Sequence, residues 1–254
     1  MKKSIGFIGG GRITRIILQA FQNKGFTPTR VVVNDSNQEI TAKLRHQFPY
    51  IVEGSLEEAA KQEILFIALH PPVIMDTLEK MNGFVSQDAM VISLAPKITI
   101  EKISVKLNDH RDVARLIPNA TSVINEGYNP VTFSSGFREK EELLDLLKFL
   151  GDTFETDETK LEAYAIVSAM LPTYFWFQWE SCVKIGEQMG LTSEESRQAV
   201  AKTLDKAVQT LFGSGMTCDQ VIDLIPVKPI GEHEKQIREI YTTKLMGLFE
   251  KIKP

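Results

Sequence analysis

The sequence has few cysteines and no long basic run, which argues against disulfide-rich, cysteine-metal and nucleic-acid-binding proteins. Only two cysteines occur, Cys182 and Cys218, and both fall in predicted helices. Neither a disulfide framework nor a cysteine metal site is therefore indicated, and we expect no bound metal. With 29 Lys and Arg against 33 Asp and Glu, the net charge is −4, and no long basic run occurs. We therefore expect no nucleic-acid partner.

The sequence also lacks an uninterrupted apolar run of membrane-spanning length. The stretch from Leu161 to Val183 is long enough, but five residues interrupt it: Glu162, Ser168, Pro172, Gln178 and Glu180. Because charges are costly in lipid, we interpret this stretch as a helix buried by protein and expect no membrane partner. No signal-peptide pattern precedes the first predicted strand, which favours a cytoplasmic location.

What the sequence does contain is a strand, a glycine turn and a helix near its start. In the stretch from Ile5 to Thr14, apolar strand-forming residues lead into three consecutive glycines, and a helical apolar spacing follows. This geometry offers backbone N–H groups and a positive helix end to a pyrophosphate. We predict a dinucleotide site in which the contacting residues are Gly9, Gly10, Gly11, Arg12 and Ile13. Thr14 stands where the third fingerprint glycine is usual, so its accommodation is an open question.

The second predicted strand ends in a candidate ribose ligand. Residues 30–34 form an apolar run that ends in Asn34, and Asp35 follows. A carboxylate at this distance from the glycines hydrogen-bonds the adenosine ribose hydroxyls in dinucleotide-binding folds. Because it would also repel a 2′-phosphate, Asp35 favours NAD slightly over NADP as the cofactor. The alternative is a turn aspartate without a ligand.

Further buried strands at residues 63–69, 90–94 and 113–117 alternate with helical patterns. Such alternation predicts an α/β fold with a Rossmann-type, doubly wound parallel sheet, whose ligand lies at the carboxyl ends of the strands. The residues that follow or end these strands are therefore site candidates: Ala68, Leu69, His70, Pro71, Lys97, Pro118 and Asn119.

The strand pattern stops near residue 156. Two short strands are predicted at residues 129–134 and 153–156, and helices are predicted at 158–189, 193–212, 217–225 and 231–252. We therefore predict a dinucleotide-binding domain at residues 1–156 and an all-helical dimerisation and substrate domain at residues 157–254. The first of these helices is rich in aromatic residues and cannot bury every face in a monomer, which predicts a homodimer through the helical domain. The alternative is a plain core helix kinked at Pro172.

Taken together, these motifs resemble pyrroline-5-carboxylate reductase. The resemblance rests on residues 5–11, 68–71, 91–95, Pro118-Asn119 with Glu126-Gly127, and 167–174. It implies a Rossmann domain, an all-helical domain with interleaved subunits, and NAD(P)H-dependent reduction of a cyclic imine to proline. It also brings in Ser168 and Tyr174 from the helical motif, which join His70 and Lys97 as catalytic candidates.

The departures from the family pattern cluster where the chemistry should be. His70 replaces the usual lysine, Lys97 replaces a glycine, and residues 226–233 stand in place of the substrate loop Ser-Pro-Gly-Gly-Thr-Thr. Lys228, Glu232 and His233 in that segment would make the pocket more charged, which suits a different, anionic small-molecule substrate.

Three functional hypotheses follow. The first is an NAD(P)-dependent oxidoreductase that acts on an imine or a related carbonyl compound. The second is a dinucleotide-binding sensor or scaffold that has lost catalysis with its substrate loop. The third is a proline-pathway reductase with a rebuilt loop.

Overall fold

The computed structural model describes residues 3–254, so the first two residues of the predicted first domain lie outside the described part. It contains one eight-stranded sheet. The strands are β1 (Ile5–Ile8), β2 (Val31–Asn34), β3 (Ile51–Glu53), β4 (Ile64–Ile67), β5 (Met90–Ser93), β6 (Val113–Leu116), β7 (Gly127–Phe133) and β8 (Gly151–Glu155). The helices are α1 (Arg12–Asn23), α2 (Gln38–Gln47), α3 (Leu56–Ala60), α4 (Pro71–Met81), α5 (Ile100–Lys106), α6 (Lys140–Leu147), α7 (Leu161–Tyr164), α8 (Pro172–Gln188), α9 (Ser193–Gly213), α10 (Cys218–Asp223) and α11 (Glu234–Ile252).

The strand order is β3-β2-β1-β4-β5-β6-β7-β8, which is a Rossmann-type doubly wound sheet and confirms the predicted α/β fold. Strands β1 to β6 are parallel, as predicted. Strand β7, for which the sequence predicted no direction, runs antiparallel to β6. Only the short 3₁₀ helix Ala120–Ile124 separates these two strands, and a parallel crossover needs a longer connection.

The core lies on both faces of the sheet, because the central strands are apolar along their whole length. The four residues of β4, Ile64–Ile67, are all buried, as expected for a parallel strand that helices cover on both sides. Phe7 of β1 pairs in register with Val33 and Phe66, and the rings of Phe7 and Phe66 stack with centroids 5.0 Å apart. This packing fixes the strand that leads into the glycine turn.

The predicted helix at residues 158–189 is broken in the structure. Helix α7 passes into a π-helix at Ala165–Ala169, and α8 starts anew with Pro172 as its first residue. Proline has no backbone N–H and fits the first position of a helix better than an interior one. Pro172 therefore begins a separate helix. It does not kink the interior of one continuous core helix, which was the alternative prediction.

The chain divides into two compact units, at a different place from the predicted boundary. The first unit runs to Met170 and includes Leu248–Pro254, and the second is Leu171–Gly247. The first unit extends beyond residue 156 because Leu161 and Ala165 pack with Ile117 at the end of β6. Helix α7 and the π-helix after β8 therefore belong to the same unit as the sheet.

The second unit consists of helical segments with little interior of its own. Ser196 is the one buried residue between residues 171 and 247. Large apolar side chains are exposed instead, among them Phe177 at 62%, Met189 at 80% and Phe212 at 82%. Both cysteines are exposed thiols. A search of residues 3–254 finds no helix with the length and apolar character needed to span a membrane.

Candidate functional site

The turn between β1 and α1 can be built only with glycine at its first position. Gly9 has φ +102°, and a Cβ there would lie 2.4 Å from the carbonyl oxygen of Ala68. The predicted neighbours Ala68 and Leu69 therefore pack directly on the glycine turn. At Gly10 a Cβ would come within 3.0–3.1 Å of the Leu44 and Ile40 side chains. The absence of side chains lets the backbone of the turn sit against β4 and α2.

Gly11 differs, because it is the N-cap of α1 and a Cβ there would meet nothing within 4 Å. No side chain caps this helix end and no acidic residue lies in its first turn. The backbone N–H groups and the positive end of the helix dipole are thus available to an anion. Arg12, the first residue of α1, is exposed at the same end.

Thr14 is accommodated by a hydrogen bond inside the turn. Its side chain is fully buried, and its hydroxyl donates to the carbonyl oxygen of Gly9 at 2.6 Å. The threonine thereby ties the first turn of α1 to the glycine that precedes it. The side chain that stands in place of the third fingerprint glycine is thus buried and hydrogen-bonded.

Asp35, the predicted ribose ligand, lies beside the glycine turn. Its Oδ2 accepts from the backbone N–H of Gly10 at 2.7 Å, and its Oδ1 accepts from that of Asn37 at 2.8 Å. The preceding Asn34 donates its side-chain amide to the carbonyl of Gly54 at 2.9 Å. The carboxylate is half-buried and held in one orientation between β2 and the glycine turn. Glu53 and Glu58 line the same recess, which makes it acidic.

A second cavity, of about 380 Å³, also borders the turn. Its lining includes Gly10 and Gly11 together with three cationic side chains, Arg12, Arg15 and Lys43. His70, a catalytic candidate from the sequence, lies in this cavity as well and is the N-cap of α4, which begins with Pro71. The structure thus brings His70 to the cationic groups around the glycine turn. A site there favours a phosphate-bearing ligand.

Asn119 and Ser168 are brought together at the end of β6. The Asn119 side-chain amide donates to the carbonyl and the hydroxyl oxygen of Ser168 at 3.1 and 3.2 Å. The Asn119 Oδ1 accepts from the backbone and hydroxyl of Thr121. Ser168 in turn donates to the carbonyl of Tyr128 at 3.1 Å. Both residues are buried, and these bonds hold Asn119, which follows Pro118 beyond the end of β6, to the π-helix.

Lys97 follows β5 at the same edge of the sheet and has an unusual backbone. Its φ is +75°, in the left-handed region that favours glycine, and its side chain is exposed. Its backbone N–H donates to Glu162 Oε1 at 2.9 Å. Glycine would adopt this conformation without strain.

Sequence reasoning missed the ionic group that lies beneath Lys97. Arg115 on β6 is fully buried and donates to Glu158 Oε1 at 2.9 Å and to Glu162 Oε1 at 2.5 Å. The available signal was a single arginine within an otherwise apolar strand, and a glutamate within the long apolar run. Buried charges are normally paired, so both residues were expected to have buried partners, but the pattern did not indicate that they pair with each other.

Tyr174 lies in the second unit, on α8. Its ring centroid is 6.1 Å from that of Tyr241, and it is half-buried. Burial, with a smaller contribution from Tyr241, raises the pKa of the Tyr174 hydroxyl above its usual value. The hydroxyl therefore keeps its proton at neutral pH.

Residues 226–233, which the resemblance predicts to replace the substrate loop, also lie in the second unit. Val227, Lys228 and Ile230 line a cavity of about 560 Å³ together with Ile237 and Tyr241 of α11. Glu232 and His233 are exposed on the 3₁₀ turn that follows, and neither lines this cavity. The segment therefore presents mainly apolar side chains. Among residues 3–254, no group of three or more His, Cys, Asp or Glu residues is placed to hold a metal ion.

Comparison with known proteins agrees with this architecture. Residues 4–97, which carry the glycine turn and Asp35, match the family model described as NADP oxidoreductase, coenzyme F420-dependent. Pyrroline-5-carboxylate reductase of Haemophilus influenzae is 26% identical over 80% of this chain and 76% of that protein. The enzyme of the same name from Corynebacterium melassecola is 22% identical over 97% of this chain and 93% of that protein.

Among solved structures, Plasmodium falciparum pyrroline carboxylate reductase with NADP bound superposes with a TM-score of 0.82 at 19% identity. The superposition covers 99% of this chain and 97% of that one, so the fold is shared over both units. The chain is thus similar to pyrroline-5-carboxylate reductases in sequence, and it shares their fold.

Proposed function

We propose that the protein is an NAD(P)-dependent reductase that transfers a hydride to the C=N bond of a small imine related to pyrroline-5-carboxylate. The observation that carries the proposal is the turn at Gly9, where backbone geometry and the carbonyl of Ala68 exclude any side chain, next to the uncapped start of α1. The curated relatives support it, because they bear the names of enzymes. That support also speaks against an inactive sensor.

The residues around the turn fit a dinucleotide. When bound, the reduced nicotinamide supplies the hydride. The backbone N–H groups at the start of α1 and the Arg12 guanidinium would bind the pyrophosphate, and Arg15 and Lys43 add positive charge in the same cavity. Asp35, fixed by Gly10 and Asn37, would accept hydrogen bonds from the ribose hydroxyls. Its negative charge, with those of Glu53 and Glu58, favours NADH over NADPH.

At the substrate end, different residues carry different tasks. Lys97 supplies an exposed ammonium group at the carboxyl edge of the sheet, where it would orient an anionic substrate. Pro118 and Asn119 shape the end of β6, and Ser168 holds Asn119 in place. In the second unit, Tyr174 is the proposed donor of a proton to the imine nitrogen: its hydroxyl carries a proton at neutral pH, and its raised pKa makes it a weak acid.

We further propose that the protein works as a homodimer through the helices of its second unit. Phe177, Met189 and Phe212 are all more than half exposed there, and apolar surface of this extent is typical of an interface. A monomer would leave these side chains in water. Sedimentation equilibrium is expected to give twice the chain mass, and a concentration-independent monomer would contradict the proposal.

The activity is tested by following oxidation of NADH and NADPH with pyrroline-5-carboxylate, with other cyclic imines and with 2-keto acids. We expect turnover with at least one imine and faster turnover with NADH than with NADPH. Growth of a proline-requiring strain that lacks its own reductase then separates a proline-pathway enzyme from one that acts on another imine. Tight cofactor binding without turnover of any of these compounds would contradict the proposed reaction.

A further inference from the structure

Three charged side chains surround the loop between β5 and α5 and hold it at three points. Arg115 Nη2 donates to the carbonyl of Ala95 at 3.4 Å, at the start of the loop. Glu162 Oε1 accepts from the backbone N–H of Lys97 at 2.9 Å, in its middle. Glu158 Oε1 accepts from the backbone N–H of Ile100 at 2.7 Å, where α5 begins.

The three side chains also bind one another. Arg115 pairs with Glu158 through Nη1 and with Glu162 through Nη2. The side chains of Arg115 and Glu162 have relative exposures of 0% and 2%. A desolvated charge pair with further hydrogen bonds is directional and rigid, in contrast to an exposed ion pair. We call Arg115, Glu158 and Glu162 the loop clamp.

What the clamp holds is a residue in an unfavourable conformation. Lys97 has φ +75°, which costs a residue with a side chain about 1–2 kcal/mol relative to the right-handed regions. Such outliers persist where surrounding contacts over-determine them, and they are found at ligand sites. Here the over-determining contact is the bond from the Lys97 N–H to Glu162, a residue 65 positions further along the chain.

We infer that the loop clamp is a positioning device for Lys97: it fixes the left-handed turn so that the Lys97 ammonium is presented at the carboxyl edge of the sheet to an anionic group of the substrate. This inference rests on the proposed function for the identity of the ligand. The clamp residues act through Lys97 and do not themselves touch the substrate.

The buried Glu162 Oε2 has no hydrogen-bond partner, and this provides a clean pair of variants. In Glu162→Gln the remaining carbonyl oxygen can keep both bonds that Oε1 makes now, whereas Glu162→Leu removes the acceptor at similar volume. Asp112→Leu is the matched control. Asp112 is another buried carboxylate and is paired with Arg138. It lies directly before the first residue of β6, at the end of the strand away from the loop clamp.

The first readout is amide hydrogen exchange of the peptide that covers residues 95–100, measured on the full-length protein. Glu162→Leu is expected to speed exchange of this loop by about tenfold or more, because its bond to a charged acceptor is lost. Glu162→Gln is expected to restore the slow rate, and Asp112→Leu to leave the loop unchanged. Equal acceleration in the Glu162 and Asp112 variants, or none in Glu162→Leu, would overturn the inference.

The second readout is kcat/KM for pyrroline-5-carboxylate at saturating NADH. Glu162→Leu is expected to lower it about tenfold in the native background, but less than twofold when Lys97→Gly has already removed the ammonium group. A loss of the same size in both backgrounds would mean that Glu162 does not act through Lys97. If the native protein turns over no imine, the proposed function fails, and the exchange measurement alone decides whether the clamp positions Lys97.

Discussion

Replacing Asp35 by asparagine should change the choice of cofactor. The carboxylate is half-buried, and the Gly10 and Asn37 N–H groups hold it beside the glycine turn. In the proposed pose it faces the ribose hydroxyls, and in NADPH one of these carries a phosphate. At a separation of about 5 Å, each unit of phosphate charge would cost about 1–3 kcal/mol, depending on the local dielectric constant.

Since about 1.4 kcal/mol corresponds to a factor of ten, Asp35→Asn should raise the affinity for NADPH relative to NADH by about tenfold to a hundredfold. Asparagine keeps one oxygen that can accept from Gly10. In Asp35→Arg the Gly10 N–H would lose its acceptor, so a change in affinity could come from the damaged turn as well as from the altered charge. Any damage to the turn affects both cofactors, and the ratio of their affinities cancels it.

The assay is calorimetric titration of NADH and NADPH into the native protein and the variant at two salt concentrations. Added salt should weaken the discrimination of the native protein, because the repulsion is screened. Glu53→Gln serves as the control, since it removes a charge from the same recess one strand further from the turn and should change the ratio less. An unchanged ratio in Asp35→Asn would refute the assignment of Asp35 to the ribose.

Four further predictions concern stability and assembly. Lys97→Gly should raise the free energy of unfolding by about 1 kcal/mol by urea titration, since glycine tolerates φ +75°; no gain would mean that the turn relaxes. Arg115→Met should lower it by about 3–5 kcal/mol, because two carboxylates lose their buried partner; a loss below about 1 kcal/mol would contradict this. Thr14→Val should cost about 1–3 kcal/mol, as the buried Gly9 carbonyl loses its donor; an unchanged urea midpoint would mean that another group replaces the hydroxyl. Phe177→Glu should shift sedimentation toward the monomer, and an unchanged dimer would place the interface elsewhere.

The sequence was most informative where local pattern decides structure. The apolar strands, the glycines between β1 and α1 and the strand-terminal residues could be placed because periodicity and turn chemistry act over a few neighbours. The capping box of Ser55 and Glu58 at the start of α3 is a local feature of the same kind, because its partners lie three residues apart. Asp35 could be located because a fixed chain distance separates it from the glycine turn in this fold.

Features that depend on distant contacts could not be predicted in the same way. The antiparallel direction of β7 follows from a short connection that has no apolar signature of its own. Helix α7 belongs to the first unit because Leu161 packs with Ile117, a contact between residues far apart in sequence. The pairing of Arg115 with Glu162 likewise joins residues 47 positions apart. Composition alone could not indicate which buried charges meet.

In the candidate site, too, the local motif could be predicted from the sequence, whereas the contacts of its residues could not. Gly9 and Gly11 could be identified from the motif, but the different demands on them could not. At Gly9 a side chain would strike the Ala68 carbonyl, whereas at Gly11 the space is open. The role proposed for Lys97 depends on a backbone angle that is visible only in three dimensions.

The measurement that tests the central claim most directly is calorimetric binding of NADH to the native protein, to Gly11→Ala and to Gly83→Ala. The added methyl group meets no neighbouring atom within 4 Å at either position, so both variants should fold. A methyl group on Gly11 would, however, stand at the start of α1, where the pyrophosphate is expected to approach the backbone. We predict that Gly83→Ala binds NADH like the native protein and that Gly11→Ala binds it at least tenfold more weakly. Equal affinities for all three proteins, or no binding by the native protein, would contradict a dinucleotide site at this turn.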